Sequence, residues 1–118
     1  MSEEKAVVSK EETFDKLEIR LGRVLQVEEE PTAPKKAYKL KVDFGKFGIR
    51  TSVGRFTQHE PVELKDKLVL GVLNFPPRQV GETISDVLIL GVQYPKAESG
   101  EATYITPAAD AKIGGKLF

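Results

Sequence analysis

From Leu17 onward, apolar and polar positions alternate, and the alternation lays out most of a β-protein. Ile19, Leu21, Leu25 and Val27 fall on one face and Glu18, Arg20 and Gln26 on the other, which predicts one long strand. Gly22 marks a bend or bulge in that strand, and Arg23 interrupts its apolar face. EEEPTAPKK (28–36) reads as a loop, because its prolines cannot join a regular ladder. AYKLKVDF (37–44) places Tyr38, Leu40, Val42 and Phe44 inward, with Lys39, Lys41 and Asp43 outward. After the turn GKFG, Ile49, Thr51 and Val53 alternate with Arg50 and Ser52. The hairpin is therefore expected to display Lys39, Lys41, Arg50 and Ser52 on its outer face. TQHEPVELKDK (57–67) predicts a short helical turn with Pro61 at its start. KLVLGVLNF (67–75) and SDVLILGV (85–92) are almost continuously apolar, as in strands buried on both faces or closed into a barrel. SGEATYITP (99–107) adds a last strand.

Five or six short strands with a helical element between the third and fourth predict an all-β chain. The expected fold is an OB-fold five-stranded β-barrel with a short helical element between strands 3 and 4 and N- and C-terminal extensions. A β-sandwich is the rival, but about 80 patterned residues are few for its seven strands. Residues 1–13 lack a sustained apolar period and are expected to form a flexible tail, leaving 14–118 as one domain. A chain of 118 residues has room for one core only.

Composition narrows the setting. No apolar run is long enough to span a bilayer, and the acidic, polar start resembles neither a signal nor a transit peptide. With no cysteine there is no disulfide and no thiolate metal site, so a cytoplasmic protein free of the membrane is expected. Net charge is +0, yet it is unevenly spread. Residues 1–30 hold nine acids against five bases, −4, whereas residues 35–55 hold seven bases against Asp43 alone, +6. A local basic stripe of this kind is what a phosphate backbone responds to, although a solvated strand face has the same composition.

Catalytic chemistry is hard to assemble from these residues. His59 is the single histidine, Ser85 has no evident base, and one histidine does not make a zinc site. A hydrolase built on Ser85 with His59 as base is the weakest reading. No phosphate-cradling glycine loop is present, so neither a cofactor, a metal nor an enzymatic activity is expected. The carboxylates of Glu28, Glu29 and Glu30 read as solvated loop charge. Binding is better supported: the basic hairpin is interleaved with Tyr38, Phe44 and Phe47. Tyr38 and Phe44 are expected in the core, and Phe47, in the turn, is the exposed candidate. Asn74, Arg78 and Ser85 surround a turn stiffened by Pro76 and Pro77. They either face a ligand or cap the turn with their own side chains.

FDKLEIRLGRV (14–24), YKLKVDFG (38–45), IRTS (49–52), VLNFPPRQVG (72–81) and SDVLILG (85–91) together resemble the stand-alone tRNA-binding domains. The resemblance is strongest to their CsaA-type, secretion-related chaperone branch. It implies an OB fold, a homodimer, and binding of tRNA by shape and backbone without catalysis. The alternative it implies is an export-related chaperone that holds unfolded or pre-export polypeptides. On this chain the ligand-facing positions would be Asn74, Arg78 and Ser85 with Arg50 and Ser52, supported by Lys39, Lys41 and Arg55. A peptide would meet Phe75, Pro76, Pro77 and Val80. Arg20, inside the first motif, is expected to pair with a nearby carboxylate. Segment 93–118 and the strand Leu17–Leu25 are the candidate dimer surfaces. Three departures from the family pattern stand out: Arg55 after Ser52, Gln79 where a second base is common, and acidic Glu82 in the following loop.

Overall fold

One long strand organises the barrel in the computed structural model, which describes residues 4–95 and 100–118. The first half of β1 (Ile19–Glu29) pairs with β4 (Leu68–Val72), and its second half pairs with β2 (Tyr38–Asp43). β2 turns into β3 (Ile49–Gly54), and β4 pairs with the short β7 (Leu88–Ile89), giving the order β3-β2-β1-β4-β7. The ends meet at Asp86. Thr51 N–H donates to its Oδ1 at 2.9 Å, and Asp86 N–H donates to the Thr51 carbonyl, also at 2.9 Å. The result is a nearly closed antiparallel barrel of the OB type, as expected from the strand pattern. Helix α1 (Pro61–Leu64) lies between β3 and β4, started by Pro61 and by a reciprocal capping box of Glu60 and Glu63. No helix among the described residues is long and apolar enough to cross a membrane.

The core gathers Val24, Leu40, Val42, Phe44, Leu64 and Val69, all fully buried. Tyr38 and Phe44 are in it, as their inward alternation requires. β1 departs from a simple period, because its bulge lies between Val24 and Gln26 rather than at Gly22. That extra residue turns Val24 inward and leaves Leu25 half-buried. Gly22 has another purpose: a Cβ there would lie 2.6 Å from Val42 Cγ1 and 2.7 Å from Phe44 Cε1. Gly71 faces the same ring, at 2.6 Å from Phe44 Cζ. The two glycines make room for Phe44.

The outer face expected of the hairpin is wrong in its second strand. Lys41 pairs with Thr51 and Lys39 with Val53, while Leu40 pairs with Ser52 and Val42 with Arg50. Opposed residues of an antiparallel pair project to the same side, so Arg50 and Ser52 lie on the inner side with Leu40 and Val42. Ser52 is 2% exposed and Ile49 61%. The connection Phe44–Gly48 fixes this register. It holds a 3₁₀ turn at Gly45–Phe47, closes with Phe44 N–H donating to the Gly48 carbonyl, and leaves through Gly48 at φ 88°.

SDVLILGV is likewise not one buried strand. After β7 the chain breaks at Leu90 and resumes as β8 (Gly91–Gln93), paired with β9 (Ala102–Tyr104) in a separate ribbon. Leu88 is about half exposed. Between β4 and β7, β5 (Arg78–Val80) and β6 (Thr83–Ser85) form a small hairpin through Gly81, at φ 60°. These ribbons raise the strand count among the described residues above the five or six expected. Residues 1–3 of the expected tail and Ser99 of the expected last strand lie outside the described residues.

Candidate nucleic-acid interface

The turn after β4 projects one cation and anchors its other polar groups. Asn74 Oδ1 accepts from Glu18 N–H at 2.8 Å, and its Nδ2 donates to the Lys16 carbonyl at 2.8 Å, clasping the chain just before β1. Arg78 and Ser85 are direct partners across β5 and β6. Ser85 Oγ accepts from Val53 N–H at 3.2 Å and donates to the Val87 carbonyl at 3.2 Å, so the hydroxyl satisfies the free edge of β3. Arg78 is exposed and, alone of the three, has no hydrogen bond or ion pair among the described residues. Asn74 and Ser85 are thus engaged by neighbouring segments of the chain, and Arg78 is left without such a contact.

Arg78 and Val53 form the common wall of two hollows, each of about 210 Å³. The first is lined further by Phe75, Pro76, Val87 and Leu88, with Phe75 45% exposed. The second lies against the loop after β1, lined by Ala33, Pro34, Lys35, Arg55 and Val80. Both have apolar floors; the second has a cationic rim, while the first sets Arg78 against Asp86, whose Oδ1 is held by Thr51 N–H. Pro77 is exposed next to Arg78. Arg55 Nε donates to the Lys36 carbonyl at 3.2 Å, joining the end of β3 to that loop. On the outer face of β2, Lys41 is exposed without an ion pair among the described residues. Lys39 pairs with Glu28 at 3.3 Å. Arg50 is withdrawn from this surface: it is half-buried, its Nη1 donating to the Leu73 carbonyl at 3.1 Å. Buried Ser52 is withdrawn as well. Gln79 donates to the Gly81 carbonyl and Glu82 is exposed.

Glu30 corrects the reading of its carboxylate as solvated loop charge. It is 7% exposed and accepts from the hydroxyls of Thr32 and Thr83 and from Thr32 N–H. These bonds, Thr32 first and Thr83 next, hold its carboxyl below the usual value against the opposing effect of burial, with a smaller contribution from Lys39. Thr32 Oγ1 in turn accepts from Glu82 N–H at 2.8 Å. A Cβ at Gly81 would lie 2.3 Å from the Thr32 carbonyl oxygen, so the hairpin sits directly on the loop. Glu30 thereby couples the loop carrying Lys35 to the hairpin carrying Arg78. No local pattern announces this, since Thr32 is a neighbour but Thr83 comes from a distant part of the chain.

His59 and Ser85 are not brought together. His59 Nε2 lies 2.9 Å from Thr103 Oγ1 and its ring stacks near Tyr104, which leaves Ser85 no base. Phe47, expected exposed, is half-buried with the Arg20 guanidinium 4.6 Å above its ring. Arg20 pairs with Glu18 at 2.7 Å, as expected of it.

Residues 19–116 match the family described as "Putative tRNA binding domain". A methionine–tRNA ligase of Pyrococcus horikoshii is 34% identical over 108 residues, which cover 90% of this chain and 14% of the ligase. The chain thus spans a small part of the curated relatives it matches. The CsaA chaperone protein of Picrophilus torridus superposes with a TM-score of 0.84 at 33% identity, over 95% of this chain and 100% of that one. Chaperone CsaA of Bacillus anthracis gives 0.85 at 31%, over 96% and 100%. The barrel with its Arg78 turn, the family match along almost its whole length and solved relatives covered end to end agree: this chain belongs to the tRNA-binding domain family.

Proposed function

We propose that this chain is a non-catalytic tRNA-binding module that recognises its ligand by shape and backbone and works as a homodimer. The observation that carries the reading is Arg78, an unpaired guanidinium on the wall between two apolar hollows, with Arg55 and Lys35 lining the second of them and exposed Lys41 on the outer face of β2. Guanidinium forks suit phosphate, and the apolar floors suit unstacked bases. Lys39 contributes through its field, tempered by Glu28. Asn74, Ser85, Arg50 and Ser52 hold the rim in shape from behind. The domain at work is residues 14–118.

The dimer reading is supported by an apolar groove of about 520 Å³ along the C-terminal segment, lined by Leu21, Leu70, Ile105, Leu117 and Phe118. Leu21 and the residues from Ile105 onward fall in the two candidate surfaces, Leu70 of β4 adds to them, and Phe118 is 99% exposed.

In a titration with mixed tRNA followed by fluorescence anisotropy, affinity is expected to fall steeply with salt. The slope of log K on log [salt] should be roughly −0.7 to −0.9 for each phosphate contacted. Arg78→Ala should reduce that slope by about one contact for each copy in the dimer, leaving the melting temperature unchanged because the side chain is exposed. No binding at low salt, or a flat response, refutes the proposal.

The half-exposed Phe75 with Pro76, Pro77 and Val80 supports a second reading, the binding of unfolded or pre-export polypeptides in the first hollow. If both hold, peptide and tRNA compete, because Arg78 borders that hollow.

A further inference from the structure

The C-terminal segment returns beside the start of β1 and builds a second cationic surface there. Lys116 forms an antiparallel bridge with Arg20, flanked by Leu21 N–H donating to the Gly115 carbonyl at 2.9 Å and Leu117 N–H to Ile19 at 3.0 Å. In such a ribbon Arg20 and Lys116 share one face, and Ile19, Leu21 and Leu117 share the other. The apolar face borders the groove assigned above to the dimer. On the polar face lies a hollow of about 340 Å³, walled by Arg20, Lys46, Lys112, Lys116 and the backbone of Gly114 and Gly115.

Arg20 is fixed in this hollow by Glu18, by the Gly114 carbonyl at 3.3 Å and by the Phe47 ring beneath it. Its charge is largely answered by Glu18. Lys46, Lys112 and Lys116 have no carboxylate partner among the described residues, although Lys46 lies 5.4 Å from the Phe47 ring centre. The turn presenting two of them is well determined. Gly115 N–H donates to the Lys112 carbonyl at 2.8 Å and Gly114 N–H to Leu21 at 2.8 Å. Gly114 stands at φ 83°, where a side chain would meet the Phe44 carbonyl oxygen at 3.0 Å. Three ammonium groups held around one concavity repel each other, and an anion in it relieves that repulsion.

We propose that this hollow is a second phosphate site, engaging the backbone of an RNA already held at the Arg78 rim. The proposal rests on the tRNA-binding reading. The two places are linked through Arg50, which donates to the carbonyls of Leu73, just before the Arg78 turn, and of Phe47, whose ring lies under the Arg20 guanidinium that lines this hollow. Lysines act on phosphate as point charges, without the planar fork that reads bases, so the site lengthens the footprint without adding sequence preference.

The test is the tRNA salt titration on the full chain carrying Lys112→Gln and Lys116→Gln. The magnitude of the log–log slope should fall by roughly 1.4–1.8 for each copy engaged, two contacts' worth. A control pair beside α1, Lys65→Gln with Lys67→Gln, should leave it unchanged. In the unsubstituted protein, tRNA should shift the amide resonances of Gly114 and Gly115. A slope unchanged by the Lys112/Lys116 pair, or stationary glycine resonances while tRNA is bound, overturns this site and leaves the Arg78 reading standing. A protein that binds no tRNA removes both.

Discussion

Glu30 is a buried carboxylate whose ionised form is held by two threonine hydroxyls and a backbone amide, and this ties stability to pH in a definite direction. Its folded pKa lies below the unfolded value because the hydrogen bonds favour the charged form. The stabilisation is therefore fully present above the unfolded carboxylate range and is lost as pH falls through the folded value. Glu30→Gln should lower the urea midpoint near neutral pH. Its deficit against the parent should shrink as the solution is acidified below pH of about 4.3, the unperturbed glutamate value. A deficit independent of pH would mean that the carboxylate charge is not what Thr32 and Thr83 hold. Because the same clasp seats the hairpin on the loop, the variant should also bind tRNA more weakly near neutrality.

At the scale of elements, the packing of Phe44 against Gly22 and Gly71 joins β2, β1 and β4 into one core. Gly71→Ala would place a methyl 2.6 Å from Phe44 Cζ and 2.8 Å from Val87 Cγ2, in a region with no free volume. Overpacking of this kind costs about 1–3 kcal/mol, read as a lower denaturant midpoint at constant m-value. Adding Phe44→Leu should then cost less than the sum of the two changes, since the smaller side chain relieves the clash. The inward residues of β2 were legible because alternation is unambiguous where one face is wholly apolar. β3 was not, since Ile49, Thr51 and Val53 make its outer face look like a core face. The turn at Gly45–Phe47 chose the opposite register, and half-buried Arg50 is accommodated by carbonyls of Leu73 and Phe47 that no sequence pattern announces. The site divides in the same way. Arg78 was legible as an exposed cation beside two prolines, but Glu30 was hidden because Thr83, which completes its bonding and buries it, is remote in sequence.

For the whole molecule, the proposed dimer makes a prediction that separates it from a monomeric binder. Each copy presents an Arg78 rim, and two rims on one tRNA turn the second contact into an intramolecular one. The apolar groove at Leu21, Leu70 and Leu117 shares Lys112 and Lys116 with the neighbouring lysine hollow, so a substitution at Leu117 disrupts the groove while removing no cation. Leu117→Asp introduces a charge that cannot be buried against a second copy without a large desolvation cost. The half-buried position borders solvent in the single chain, so the fold should survive. Sedimentation equilibrium should then show a monomer where the parent is a dimer. Losing avidity should weaken tRNA binding by roughly 10²-fold or more, and the salt slope should fall to about half, because half of the phosphate contacts are gone. A monomer that keeps both the affinity and the slope of the parent would mean that one barrel carries the whole RNA footprint. The groove would then have to serve some partner other than a second copy of this chain.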